Sequence, residues 1–153
     1  MKLLLSTVAA ALLPLAAFAH DGLHVEDAYA RSSNPVTGAV FMTIVNHREV
    51  PCQLTGAASD AAERVELHTH REEGGVMKMM KAEEGFAIPA LGRHALARGG
   101  DHVMLLGLRE RLTDGAAVAL TLDFGDCGSL EVLAPVDNRR MPAADGDLGG
   151  KSN

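Results

Sequence analysis

Hydrophobic and polar positions along this chain alternate in short runs. Residues 64–70 show it most clearly: Val65, Leu67 and Thr69 fall on one side, and Arg64, Glu66, His68 and His70 on the other. Residues 117–124 repeat the pattern with Val118, Leu120, Leu122 and Phe124. Residues 38–45, GAVFMTIV, are β-branched and aromatic enough for a core strand, with Met42 read as packing. Further strands are expected at 76–81, 102–106 and 130–136, and an edge strand in the loosely patterned 20–30. Turn clusters separate them, among them Arg31-Ser32-Ser33-Asn34-Pro35, Arg71-Glu72-Glu73-Gly74-Gly75 and Arg98-Gly99-Gly100-Asp101. The pattern predicts an all-β domain, a Greek-key β-sandwich of about eight short strands.

The two ends read differently. Lys2, an apolar run from Leu3 to Ala16 and the small-x-small triplet Ala17-Phe18-Ala19 predict a secretory signal peptide over residues 1–19. Residues 20–140 then form the domain, and the Gly-rich residues 141–153 a disordered tail. No later run is long and apolar enough to span a bilayer, so no stable membrane insertion is expected after cleavage. Loss of Lys2 takes the formal charge from −6 to −7, which argues against a nucleic-acid partner. Cys52 and Cys127 are the two cysteines. In an exported chain a disulfide is the expectation, a thiolate metal ligand the alternative.

The candidate chemistry lies on the hairpin 64–81. With its tip centred between Glu73 and Gly74, His70 faces Met77 and His68 faces Met79, all on one face. Met80 then faces Leu67 on the apolar side. In the segment His102-Val103-Met104, His102 and Met104 share a face as well. Thioether sulfur is soft and neutral, and with imidazole it suits Cu(I) in preference to hard cations or zinc. The predicted metal ligands are His68, Met79, His102 and Met104, with His70, Met77 and Met80 as possible additions. His47 and His94, beside turns, are read as solvated. A second site for Cu(II) is expected at the new N-terminus, on the amine and imidazole of His20 with help from His24. No G-x-S-x-G or H-E-x-x-H motif occurs, and no paired acid–base machinery suggests an enzyme. A blue-copper centre would need a cysteine thiolate with two histidines, and no histidine follows Cys127.

VELHTH, GVMKM, Ile88-Pro89-Ala90, GGDHVMLLGL and the last apolar strand ending in Pro135-Val136 together make the chain resemble the PCuAC family of periplasmic copper chaperones. The family's pattern is His, ten residues, Met, about twenty-one residues, then His-x-Met. Here ten residues separate His68 from Met79 and twenty-two separate Met79 from His102. Counted from Met80 the second spacer is twenty-one, so Met80 is the alternative ligand. His70 stands where methionine is common in the family. The resemblance implies a cupredoxin-like fold and a periplasmic copper chaperone. It also implies delivery to an apo copper-centre subunit of a respiratory oxidase, such as the CuA site of cytochrome c oxidase. A copper-buffering or resistance protein without a dedicated client is the alternative.

Overall fold

A computed structural model describes residues 22–142. The expected signal peptide, His20 and all of the tail beyond residue 142 lie outside the described residues. Eleven short strands follow one another: β1 Leu23–Arg31, β2 Thr37–Asn46, β3 Cys52–Leu54, β4 Gly56–Ala58, β5 Ala62–Glu73, β6 Val76–Lys81, β7 Phe86–Ile88, β8 Arg93–Leu96, β9 His102–Leu108, β10 Ala117–Asp123 and β11 Ser129–Pro135. The count exceeds the expected eight because β3, β4, β7 and β8, of three or four residues each, are too short to show a period of two.

The largest sheet runs β1-β2-β9-β5-β6, and β8 continues along β2 beyond the end of β9. β11-β10-β4 form a second sheet, and β3-β7 a small third one. All strand pairs are antiparallel. The inner face of the large sheet carries Val40, Met42, Ile44, Leu67, Val103 and Leu105. These join one core with Val118, Leu120, Leu122 and Phe124 from the β10 side and with Leu54, Phe86 and Ile88 from the small sheet. The core is therefore the seam of a cupredoxin-like sandwich, and the polar members of each alternating strand are left on the outer faces.

A disulfide joins Cys52 of β3 to Cys127 in the 3-10 turn Gly125–Cys127 between β10 and β11. It leaves no thiolate for a metal. With a sequence separation of 75 between the bonded positions, it restricts the unfolded chain by roughly 4 kcal/mol in the chain-entropy view.

β1 is an edge strand, as its weak pattern suggested, and the weakness has a cause. Its register shifts between Glu26 and Tyr29, and Asp27 adopts a positive φ of 56°. This bulge carries the extra residue that puts His24, Glu26 and Tyr29 on the same outer face despite their mixed parity. The hairpin β5–β6 departs from the expected register by two residues. His70 pairs with Met79, His68 with Lys81, Glu72 with Met77 and Thr69 with Met80. The tip falls on Gly74 and Gly75, with φ of 60° and 80°. A two-residue hairpin loop needs positive φ at both central positions; two glycines adopt that freely, whereas Glu73 would be strained. A shift of two preserves the faces, so the partners changed and the orientation did not.

Candidate metal centre

The outer face of the large sheet gathers the predicted ligands. β5 brings His68 and His70, β6 brings Met79, and β9 brings His102 and Met104. His68 pairs with His102 across β5 and β9, and Glu66 with Met104. The imidazole ring centroids of His68 and His70 lie 5.9 and 5.5 Å from that of His102, and Phe41 from β2 packs 5.9 Å from the same ring. A pocket of about 290 Å³ opens here, and its lining includes Phe41, His70, Met79, His102 and Met104. His68 sits beside this lining and is not part of it.

The hydrogen bonds fix which nitrogens keep their lone pairs. The Gly100 carbonyl accepts from His102 Nδ1 at 2.9 Å and from His70 Nδ1 at 3.1 Å. A carbonyl only accepts, so both Nδ1 atoms carry the proton and both Nε2 atoms present a lone pair. His68 donates from Nε2 to Glu66 Oε2 at 2.8 Å, which makes its Nδ1 the lone-pair nitrogen. That Nδ1 is buried and has no hydrogen-bond partner. Leaving a buried acceptor unpaired costs about 1–3 kcal/mol, which a bound ion would offset. Each of the three histidines is thus oriented through its far nitrogen, the usual arrangement behind a metal ligand.

The electrostatics of His102 agree with a neutral imidazole. His102 is 2% exposed, and burial pushes its pKa below the ordinary histidine value. The Gly100 hydrogen bond opposes this, while the neighbouring His70 and His68 add to it. The hydrogen bond from His68 holds the Glu66 carboxyl below its usual range, with help from the Arg64 charge. Among the described residues no three His, Cys, Asp or Glu side chains gather into a metal-holding group. The thioethers of Met79 and Met104 stand on the same face as the imidazoles, and their softness would favour a soft monovalent ion.

The other expected ligands are sorted by position. Met77 is 58% exposed near the hairpin tip, on the Met79 face but opposite Glu72. Met80 lies on the opposite face, in a groove shared with Thr69, Phe86 and Asp101. The geometry thus supports Met79 over Met80. His24 lies elsewhere, on β1.

The solvated reading of His94 is corrected, whereas His47 is exposed, as expected. His94 donates to Asp101 Oδ2 at 2.8 Å and stacks on Phe86, while Thr69 Oγ1 donates to the other Asp101 oxygen at 2.6 Å. This network braces the loop that presents Gly100. His47, although exposed, lies against His24. Sequence reasoning missed Glu66 and Gly100 as orienting groups. Glu66 was detectable, being two residues from His68 on the same face; a backbone carbonyl leaves no signal in the side-chain pattern.

A cupredoxin-like sandwich with a His/Met cluster on one sheet face defines a class, and comparison with known proteins places the chain within it. Residues 23–136 match the family described as "LpqE-like: Putative lipoprotein LpqE-like", and the chain belongs to this family, the PCuAC family. A relative from Leifsonia xyli subsp. xyli (strain CTCB07), described as "Putative lipoprotein Lxx21020", is 34% identical over 116 residues, 76% of this chain and 70% of its own. Among solved structures, the Cu(I) form of DR1885 from Deinococcus radiodurans is similar at 34% identity and a TM-score of 0.58, covering 78% of this chain and 83% of its own. The copper-bound PCuAC domain from PmoF2 is similar in fold, with a TM-score of 0.63 at 24% identity, over 79% of this chain and 97% of that one.

Proposed function

We propose that this protein is a periplasmic copper chaperone that binds Cu(I) as cargo through His68, Met79, His102 and Met104, with His70 as a fifth donor. The observation that carries the reading is the buried, unpartnered Nδ1 of His68 beside His102, on the face where two thioethers stand. The copper-bound relatives support the choice of ion. Cu(I) carries one charge and needs no anionic ligand, so neutral donors hold it without a trapped charge. The Glu66 carboxylate orients His68 from outside the ligand set.

The role is that of a carrier and not an enzyme. Met79 is 48% exposed on an edge strand, so one ligand of the set faces an incoming partner. A partner's donor atoms can replace that thioether while His102 still holds the ion, which is the stepwise exchange a chaperone requires. Its client is an apo copper centre of a respiratory oxidase, such as CuA, reached outside the cytoplasm after signal cleavage. The lipoprotein descriptions of the family and of the Leifsonia relative agree with export.

The test is a Cu(I) titration against a chromophoric chelator, followed by transfer to an apo CuA subunit. The wild-type protein binds one equivalent and delivers it. The quadruple variant His68→Ala, Met79→Ala, His102→Ala, Met104→Ala binds none. Equal binding by both would refute the site, and binding without delivery would favour a copper buffer.

A further inference from the structure

At the other end of β2, on the same sheet face, two histidines that the proposed Cu(I) cargo does not use come together. His47 Nε2 lies 2.9 Å from His24 Nδ1, and the two ring planes are within 9° of parallel. His24 Nε2 in turn lies 3.1 Å from Glu26 Oε1. We infer that His24 and His47 form a second metal site, selective for a borderline divalent ion of the Cu(II) type, with Glu26 as its orienting carboxylate.

The placement is built into the fold. His24 pairs with Val45 across β1 and β2, and the His47 amide donates to the Gly22 carbonyl, so the two histidines are diagonal neighbours on one face. The turn that carries His47 is pinned by Asn46, which is 1% exposed. Its side-chain amide donates to the carbonyls of Val50 and Pro89, and its oxygen accepts from the Arg48 amide. Glu26 shares the face of His24 because the two are two residues apart on an unbroken stretch of β1, opposite Thr43 and Val45. Six residues of strand separate His47 from Phe41 at the first pocket, about 20 Å at 3.3 Å per residue.

The chemistry of the pair selects the ion. His24 donates from Nε2 to the Glu26 carboxylate, so its Nδ1 accepts from His47 Nε2; an ion takes the place of that proton, which moves to His47 Nδ1 and leaves a lone pair on both facing nitrogens. Two nitrogens each about 2.0–2.1 Å from a common ion and at right angles to one another stand about 2.9 Å apart. The pair is thus spaced as two adjacent corners of a tetragonal site, the geometry Cu(II) prefers. The carboxylate–histidine–metal relay through Glu26 fixes the ring orientation of His24. Arg93 lies 3.4 Å from the other Glu26 oxygen and holds the carboxylate in place. No thioether is part of this pair, so the two sites differ in donor softness: His/Met for Cu(I), His/His for Cu(II). His24 thereby gains a ligand partner in His47, where the sequence had offered only His20.

The experiment is a Cu(II) titration of the exported protein, read by pulsed EPR and by competition with glycine, for the wild type and the His24→Gln, His47→Gln and His20→Ala variants. The expected result is one Cu(II) with two coupled imidazoles, and at least tenfold weaker binding with one imidazole lost in both His24→Gln and His47→Gln. Cu(I) affinity, measured separately, stays unchanged in these variants, so the outcome is independent of the first site. Unchanged Cu(II) binding in His47→Gln, or a loss confined to His20→Ala, would overturn the inference.

Discussion

The two halves of the His/Met cluster are built unlike each other. On β9, His102 is 2% exposed, hydrogen-bonded to Gly100 and flanked by strands on both sides. On β6, Met79 is 48% exposed and Met77 58%, on an edge strand bonded only to β5. One half is an anchor fixed by the core and the other an arm open to solvent. On the proposed reading, the exposed thioether is the donor a partner replaces first, while the buried imidazole still holds the ion.

The largest expected effect comes from the anchor. His102→Ala should weaken Cu(I) binding at least 100-fold, or about 2.7 kcal/mol, in competition with a chromophoric chelator. A smaller loss would mean that the buried imidazole is packing and that the anchor lies elsewhere. Truncating the arm should do less. Met79→Leu keeps the volume and removes the sulfur, and should weaken binding about tenfold, or about 1.4 kcal/mol, mostly through faster release seen by stopped flow. If the two variants lose equally and release is unchanged, the distinction between anchor and arm fails.

The smallest effect is on stability and follows from protonation. The pKa of His102 is lowered in the fold, chiefly by burial, so the unfolded chain binds the proton more readily. The stability this contributes is complete above the unfolded value of about 6.5 and is lost as pH falls through the lower folded value. The melting temperature of the metal-free protein should therefore hold from pH 8 to 7 and decline below about 6.5. In His102→Gln, which cannot titrate, the decline should start lower, where Glu66 and the other carboxylates protonate. An identical pH profile in the variant would remove His102 as the cause.

Much of this was legible in the chain. Strict alternation over 64–70 and 117–124 announced strands with one buried face, because a period of two maps directly onto a sheet half in the core. β6 matched its expected bounds, 76–81, because the glycine pair at 74 and 75 marks the turn that it follows. The sharing of a face by His68 and His70, and by His102 and Met104, also follows from parity within strands, and the face of Met79 survived the two-residue shift of the hairpin; that both groups lie on one face was set by the β5–β9 register. The family pattern of His and Met spacing was readable for the same reason.

What the chain alone left open depends on contacts between strands distant in sequence. Whether His68 or His70 stands opposite Met79 was decided by the backbone at Gly74 and Gly75, since only positive φ at both positions closes the two-residue turn. That Met79 and not Met80 shares the face of His70 and His102 followed from the side each takes beside β5. The lone pairs of His70 and His102 were set by a carbonyl some thirty residues away from His70, at Gly100. The pairing of His24 with His47 came from the β1–β2 register, which sets His24 opposite Val45, and from the turn that Asn46 pins. Local sequence determines which side of a strand a residue takes, because that is a property of the backbone repeat. Which donors converge is decided by tertiary structure, because bulges, turns and cross-strand register set distances that no single segment contains.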